Sequence, residues 1–401
     1  MTQAIDARTP AQPSRLRIVG AVSAAHFVSH YYILLLAPLM PFVRDEYGVS
    51  YTEIGLAFAA FNIVSAVLQT PAGFLADWLG PRILLVAGLL IGAAAFAVIG
   101  AVHSFWLMVA MFGVAGIGNT VYHPADYALL SQHVPADRIG QAFSLHTFAG
   151  MLGSAITPPA ALMLQAWWGW RGAMIGSAVL GLAVAVLVML LREPAPARPT
   201  PRAPKGAPND WQILLKPRIL LSLLFFVLLA MVNAGINNYS VVALGALYGT
   251  PVATANAALT GNLFLSAIGV LAGGFLVGRT RRHGLVAGLG LAAAAVFTVV
   301  VGEVNMEALA LVAAMSAAGF FAGVIMPSRD MIVRDVTPPG AFGKVFGFVT
   351  TGFNIGGIVA PLVFGAIMDH GSPRLVFLVA AVLTVAAIAT VSGRARRPAA
   401  D

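Results

Sequence analysis

The chain has 401 residues, of which 59% are hydrophobic and only 9% are charged. So few polar residues cannot cover a water-soluble globule of this size, so the composition excludes a soluble domain and predicts a protein solvated by lipid. The absence of cysteine excludes disulfides and thiolate metal sites. The net charge of +8 sits in short loops between apolar runs, which argues against nucleic-acid binding.

Twelve apolar windows follow in chain order, each long enough to cross the hydrocarbon core of a bilayer. The pattern predicts an all-α membrane protein with twelve transmembrane helices. The first window is too long for the apolar part of a signal peptide and lacks a small-residue cleavage site, so we expect it to remain as the first helix. The windows, numbered 1 to 12, cover approximately residues 18–43, 54–76, 83–102, 105–131, 141–165, 172–191, 219–244, 253–277, 285–301, 309–333, 344–368 and 375–391.

Basic residues are distributed unevenly between the loops on the two sides of the membrane. An even number of spans places both termini on one side, and 19 basic residues then fall on that side against three on the other. Because short cytoplasmic loops carry the excess of lysine and arginine, both termini are predicted to be cytoplasmic, in a bacterial-type inner membrane. The three residues on the outer side are Arg44, Arg171 and Arg374, and the last basic residue, Arg329, lies inside window 10.

The segment 192–217 is rich in proline, alanine and basic residues, a composition typical of an extended linker. It divides the chain into a cytoplasmic arm (1–17), a six-helix bundle (18–191), the cytoplasmic linker, a second six-helix bundle (218–391) and a cytoplasmic tail (392–401).

The two halves of the chain repeat at an offset of 203 residues, mostly through matches of proline and glycine, which set backbone shape. This predicts two pseudo-symmetric bundles related by a parallel repeat. The matches are Pro124 with Pro327, Pro135 with Pro338, Gly140 with Gly343, Phe143 with Phe346, Thr147 with Thr350, Gly153 with Gly356 and Pro158 with Pro361.

The loop between windows 2 and 3 carries Gly73, Asp77, Gly80 and Arg82. This stretch resembles the signature loop of the major facilitator superfamily of secondary carriers, and the likeness extends over nearly the whole chain. In that family the first glycine lets helix 2 approach a helix of the other half, and the aspartate acts there as an electrostatic latch. The second glycine and the basic residue shape the turn. The resemblance implies the major facilitator fold and assigns these four residues to a conformational latch.

Two features of this loop depart from the family pattern. Trp78 and Pro81 stand at positions where basic residues are common in the family. The second half keeps the charges of the loop in residues 274–282 but lacks the acid, so a symmetric latch is not implied. An ordinary charged cytoplasmic turn is the alternative interpretation.

Window 5 contains Gly150, Gly153 and Pro158, which resemble a glycine-and-proline motif of many antiporters that controls packing and leak between the half-bundles. Together with residues 118–124, this stretch is similar to exporters of the fosmidomycin-resistance type. Small residues at helical spacing also allow close helix contact in lipid. These residues can therefore be interpreted either as packing residues alone or as an exporter-type motif.

Polar residues within the spans are costly unless they face a cavity or a partner. In this chain they concentrate in windows 1, 4, 7 and 10, and in the family that the chain resembles the corresponding helices line the central cavity. The pattern predicts a polar site for a small-molecule substrate at the interface between the repeats. The candidates are His26, His30, Asn119, His123, Asp126, Asn233, Asn237, Asn238, Tyr239, Arg329 and Asp330.

The histidines of windows 1, 4 and 5 have several interpretations. His26 and His30, one turn apart on one helix face, suit proton or substrate handling or structural hydrogen bonds. A metal site there is remote, because no third-ligand pattern accompanies the pair. His123 and Asp126 form an acid–base pair, unless Asp126 caps the helix or binds a basic residue. His146 in window 5 is more typical of packing or an interhelical hydrogen bond.

The polar residues of windows 7 and 10 also leave alternatives open. The carboxamides and phenol of residues 237–239 bind substrate or form an interhelical bridge. Arg329 either forms a structural ion pair, with Asp330 or with Asp126, or binds an anionic group of the substrate through its planar fork.

These features favour a secondary active transporter that moves a small organic molecule by alternating access, as a proton-coupled exporter, with an anionic substrate suggested by the buried arginine. An importer or facilitator of a small organic acid on the same fold is the alternative. An intramembrane enzyme or metal site lacks a complete motif. The sequence has no phosphate-binding loop, which excludes ATP as the energy source. We expect no cofactor, no enzymatic activity and a monomer in the lipid bilayer.

Overall fold

A computed structural model describes residues 12–135, 138–191, 211–277, 279–280, 282–337 and 342–392. Over these residues the chain is helical, without a strand. Residues 1–11, 192–210 and 393–401, which hold most of the predicted arm, linker and tail, lie outside the described residues. The first half contains α1 (Gln12–Leu34), α2 (Leu36–Tyr47), α3 (Tyr51–Leu79), α4 (Pro81–Ala101), α5 (Phe105–Asn119), α6 (Tyr122–His133) and α7 (Ile139–Met189). The second half contains a short 3-10 helix (Trp211–Leu215), α8 (Pro217–Tyr248), α9 (Val252–Val277), α10 (His283–Glu303), α11 (Ala308–Asp335), α12 (Phe342–Asp369) and α13 (Arg374–Ser392).

The described helices make twelve membrane crossings, in agreement with the twelve predicted spans. α1 and α2 form one crossing with a break at Leu35, and α5 and α6 form another with a break at residues 120–121. The stretch Gln141–Met189 within α7 has 49 apolar-rich residues, which is long enough to cross twice. Gly169 divides it, because its φ of 70° and ψ of 171° turn the chain in a conformation that glycine adopts at little cost.

The start of α1 differs from the predicted boundary. The helix begins at Gln12, before the start of window 1, and includes the basic residues Arg15 and Arg17. Hydropathy marks only the part of a helix that lies in hydrocarbon, whereas the backbone hydrogen bonds continue into the polar layer of the membrane. The last part of the predicted arm is therefore helical.

Equivalent glycines bring neighbouring helices together in both halves. A Cβ atom at Gly116 on α5 would lie closer than 3.0 Å to the carbonyl oxygen of Phe61 on α3. Its repeat partner, Gly319 on α11, would place a Cβ atom even closer to the carbonyl oxygen of Asn262 on α9. Small residues allow this approach of helix backbones in lipid. The predicted parallel repeat is thus visible in the packing.

Among the described helices, the main contacts between the halves are those of α3 with α12, α7 with α9 and α2 with α8. We call the end of the molecule at which α1 begins and α13 ends the terminal end. The opposite end, which carries the turns before α3 and before α13, is the distal end. The polar residues predicted for the cavity lie between these two ends.

Candidate functional site

Four histidines and one aspartate meet inside the first half, where α1, α6 and α7 pack together. His26 Nδ1 lies 3.4 Å and His146 Nε2 lies 3.7 Å from the same carboxylate oxygen, Oδ2 of Asp126. The rings of His26 and His146 stack with centroids 3.8 Å apart. The rings of His30 and His123 lie 4.7 Å and 5.3 Å from that of His26. We call these five residues the histidine cluster.

The centre of the histidine cluster is closed to the surface, whereas its edge is open. Asp126 and His146 are 0% exposed and His26 is 4% exposed, while His123 is an exposed residue. Within the described chain, neither oxygen of Asp126 and neither ring nitrogen of His146 has a hydrogen-bond partner. Burying a carboxylate or an imidazole without a partner is costly. The centre of the cluster is therefore suited to a proton shared between the carboxylate and the rings.

Two glycines allow α7 to reach α1 at this point. A Cβ atom at Gly150 would lie 2.5 Å from Cδ2 of His26 and 2.9 Å from Cδ2 of His30. At Gly153 a Cβ atom would meet the backbone of α1 at less than 3.0 Å. Pro158, the third residue of the predicted motif, lies within α7. The two glycines serve helix packing at the place where the histidines meet.

The histidine cluster also has the composition of a metal site, since donor atoms of His26, His123 and His146 lie within 4.8 Å of one another. Two imidazoles on one tetrahedral zinc ion have ring centres about 5 Å apart, given Zn–N bonds of about 2 Å. The stacked rings of His26 and His146 are closer, at 3.8 Å, so they cannot both direct a lone pair at one ion without rotating apart. The geometry favours the shared carboxylate over a shared metal ion.

Arg329 on α11 occupies the repeat position of Asp126 and is 9% exposed. Its guanidinium lies over two aromatic rings, 4.7 Å from the centroid of Phe226 on α8 and 5.2 Å from that of Phe353 on α12. Its Nε donates to Oδ1 of Asp330 at 2.9 Å. The rings and the carboxylate hold the positive charge in one place among apolar helices.

The ion pair with Asp330 decides between the two partners considered for Arg329. Adjacent residues point about 100° apart around a helix and face each other poorly. The long arginine side chain nevertheless spans that angle, so its Nε reaches the neighbouring carboxylate. Asp126, the other candidate, lies instead against His26 and His146. The two repeat-equivalent residues therefore have their nearest polar neighbours within their own half.

The polar residues of α8 divide between two faces of the helix. Asn233 and Asn237 line a cavity of about 50 Å³ in the second half. Asn238 is buried. Tyr239 is 0% exposed, and its hydroxyl donates to the carbonyl of Pro361 on α12 at 2.6 Å, which is an interhelical bridge of the kind given as the alternative to substrate binding. Residues two apart lie about 200° apart around a helix, so both faces cannot point into one cavity.

The signature loop between α3 and α4 is described in part. Gly80 has a φ of 89°, which other residues rarely adopt, and α4 begins directly after it. Arg82 donates to the carbonyl oxygens of Val188, at 3.1 Å, and of Met189. It thereby binds carbonyls of the last turn of α7, where the regular hydrogen bonds of the helix end. Outside the described residues lie the side chain of Asp77 and the surroundings of Gly73.

Several contacts of the site did not follow from sequence reasoning. His146 had a signal, since it is a titratable residue inside a span, but packing was the favoured interpretation. No signal in the sequence pointed to Phe226 and Phe353, because aromatic residues are common on apolar helices. Asn119 donates to Ser65 Oγ on α3 at 3.3 Å and so links two helices of the first half. Further polar residues of the cavity in the second half are Asn262, Thr298 and Thr384.

Twelve crossings in two repeated bundles, with buried polar residues on equivalent helices, are the architecture of a membrane transport protein. The profile of the Major Facilitator Superfamily matches residues 22–245 and 223–400. Over 384 residues the chain is 25% identical to the fosmidomycin resistance protein of Escherichia coli (strain K12), covering 93% of this chain and 92% of that protein. Over 409 residues it is 26% identical to the probable sulfoacetate transporter SauU of Cupriavidus necator, covering 94% and 93%.

Solved structures show the same architecture. A bacterial homologue of the human lysosomal transporter Spinster, in an inward-facing and occupied conformation, matches with a TM-score of 0.77 at 16% identity. The match covers 96% of this chain and 98% of that one. The chain belongs to the Major Facilitator Superfamily, and it is a multi-pass membrane transporter of small organic substrates. The expected family and fold are confirmed.

Proposed function

We propose that this chain exports a small organic anion by alternating access, in exchange for protons that enter through the same protein. It acts as a monomer in a bacterial-type inner membrane with both termini cytoplasmic. The observation that carries the proposal is the pair of repeat-equivalent positions, with Asp126 among imidazoles in one half and Arg329 between aromatic rings in the other.

Arg329 is the proposed receptor for the anionic group. Its planar guanidinium matches the oxygens of a carboxylate, phosphonate or sulfonate in two parallel hydrogen bonds. The contacts with Phe226, Phe353 and Asp330 hold the side chain in one orientation before the substrate arrives, which lowers the entropic cost of binding. The sulfoacetate transporter among the relatives supports an anionic substrate, since sulfoacetate carries a sulfonate and a carboxylate.

The histidine cluster is the proposed proton carrier. The rings of His26 and His146 both face one carboxylate oxygen of Asp126, so a proton can pass between the carboxylate and the imidazoles. The exposed His123 links the buried centre to the surface of the bundle. The sequence has no phosphate-binding loop for ATP, and the proposed energy source is a proton gradient that acts through the histidine cluster.

Uptake by proton symport is a second candidate. One relative that aligns over nearly the whole chain is named for resistance to fosmidomycin and another as a probable sulfoacetate transporter, and neither name states a direction of transport. Export is the first choice because the glycine motif in α7 resembles that of antiporters.

Purified protein in liposomes tests both the substrate and the coupling. A thermal-shift screen of phosphonates, sulfonates and carboxylates, with fosmidomycin and sulfoacetate included, should raise the melting temperature, because a ligand that binds only the folded state stabilises it. For the best ligand, antiport predicts accumulation in liposomes with an acidic lumen, whereas symport predicts accumulation when the outside is acidic. A protonophore should abolish either.

Two results would contradict the proposal. If only cations and neutral compounds raise the melting temperature, the proposal of an anionic substrate is wrong. If the substrate still accumulates against its own concentration gradient in the presence of a protonophore, transport is not coupled to protons. The histidine cluster would then have a structural or substrate-binding role.

A further inference from the structure

The two halves are joined at the distal end by Asp369, the last residue of α12. Its Oδ1 accepts a hydrogen bond from the backbone N–H of Tyr51 at 2.7 Å. Its Oδ2 accepts two more from Thr52, from the backbone N–H at 2.8 Å and from Oγ1 at 2.5 Å. Tyr51 and Thr52 are the first two residues of α3. One carboxylate of the second half thus makes three hydrogen bonds to the start of a helix in the first half.

The first N–H groups of a helix have no carbonyl partner within it. At α3, Ser50 and Glu53 form a capping box, in which the Ser50 side chain accepts from the Glu53 N–H and the Glu53 carboxylate accepts from the Ser50 N–H. This leaves the N–H groups of Tyr51 and Thr52, which are the two that Asp369 binds. The positive end of the helix dipole adds to the attraction. Asp369 therefore completes the N-terminus of α3 only while the halves touch.

The backbones around this contact approach closely. A Cβ atom at Gly365 on α12 would lie 2.8 Å from Cα of Thr52. A Cβ atom at Gly55 on α3 would lie 2.8 Å from the carbonyl oxygen of Pro361, which also accepts the hydrogen bond from Tyr239. Opening of the distal end breaks these contacts together with the three hydrogen bonds of Asp369.

We infer that Asp369 is a positioning residue of the transport cycle, which holds the distal end of the two halves closed and must leave the N-terminus of α3 before that end opens. Asp77 and Asp369 stand near the C-terminal ends of α3 and α12, so they lie at opposite ends of one helix pair. Distal closure by Asp369 is thus the counterpart of the terminal latch predicted for Asp77. The inference goes beyond the proposed function, because it depends on neither the substrate nor the coupling ion.

Spin labels at the distal end test this inference in the full chain, which has no native cysteine to compete for the label. Asp45 and Asn305 are exposed and lie at the distal ends of the first and second half. With Asp45→Cys and Asn305→Cys carrying nitroxides in lipid nanodiscs, double electron–electron resonance should show a predominant short distance. Asp369→Asn removes the charge from the hydrogen bonds, so the ratio of short to long distances should fall roughly fivefold to tenfold.

Two further variants make the result specific. Thr52→Val removes only the hydroxyl contact and should shift the distances in the same direction by a smaller factor. If Asp369→Asn does not fold, this variant alone tests whether the contact with Asp369 holds the distal end closed. Glu303→Gln also removes a distal acidic charge, but its partner Arg374, at 3.5 Å, belongs to the same half. This control should leave the distance distribution unchanged.

Three outcomes would overturn the inference. The first is a wild-type distribution in both Asp369→Asn and Thr52→Val at unchanged melting temperature. The second is an equal shift in Glu303→Gln, which would reduce the effect to distal charge in general. The third is the absence of a short-distance population in the otherwise unaltered protein.

Discussion

Among single residues, the repeat-equivalent pair of Asp126 and Arg329 places an acidic and a basic residue at equivalent positions in the two halves. Asp126 lies between the rings of His26 and His146. Arg329 pairs with its neighbour Asp330 and lies over aromatic rings. Because the polar neighbours of each residue belong to its own half, a movement of the halves relative to each other leaves these contacts in place.

Arg329→Lys tests the role of this arginine. Lysine keeps the positive charge but loses the planar fork that binds two oxygens at once. We expect normal expression and insertion, with affinity for an anionic ligand reduced at least about tenfold, which corresponds to roughly 1.4 kcal/mol. Isothermal titration with the best ligand of the anion screen measures the change. Arg334→Lys, on an exposed position of the same helix, is the matched control, and wild-type affinity in Arg329→Lys would leave Arg329 with a structural role.

At the scale of helices, the histidine cluster exists because α7 packs directly on α1. The contact is made at Gly150, where even a methyl group would collide with His26 and His30. In lipid, packing of small residues rather than hydrophobic exclusion drives helices together. The same glycine that allows the packing therefore also sets the distance between the imidazoles.

Gly150→Ala tests this dependence. The added methyl group would lie 2.5 Å from His26 Cδ2, and overpacking of this kind costs about 1–3 kcal/mol. The melting temperature in detergent should fall by several degrees. Gly347→Ala on α12 is the matched control, since a Cβ atom there meets nothing within 4 Å. Equal melting temperatures for the two variants would show that α1 and α7 are not held together at Gly150.

For the whole molecule, the few basic residues predicted outside the cytoplasm are held by partners at the distal end. Arg171 Nη2 lies 2.7 Å from Glu46, and its repeat equivalent Arg374 lies 3.5 Å from Glu303. The first pair lies within the first half of the molecule and the second pair within the second half. The described part of the terminal end, by contrast, carries Arg82, Arg138, Lys216, Arg218 and Arg334, which agrees with the prediction that this end is cytoplasmic.

Reporter fusions test this orientation. A fusion at Asp401 and one within the linker 192–217 should each be active as a cytoplasmic reporter and inactive as a periplasmic one, because the basic residues retain these segments on the side of synthesis. A fusion in the distal turn at Asn305 is the control and should give the opposite result. Periplasmic activity at Asp401 or in the linker would contradict the predicted topology.

The sequence by itself determined the class of protein, the number of crossings and the family. Each depends on a property that a short stretch carries alone, namely apolar length, loop charge or the spacing of Gly73, Asp77, Gly80 and Arg82. The repeat was readable because proline and glycine impose backbone shape wherever they stand. Most candidate polar residues were found for a similar reason, since a charged or polar residue stands out in an apolar window.

Only the tertiary structure decided which of these side chains meet. It brought His146 to Asp126, joined the hydroxyl of Tyr239 to the carbonyl of Pro361 on α12, and joined Tyr51 to Asp369 across 318 residues. Such contacts depend on how far each helix is rotated about its axis and how closely it approaches its neighbours. Both are set by the packing of helices distant in sequence, through contacts that no single window contains.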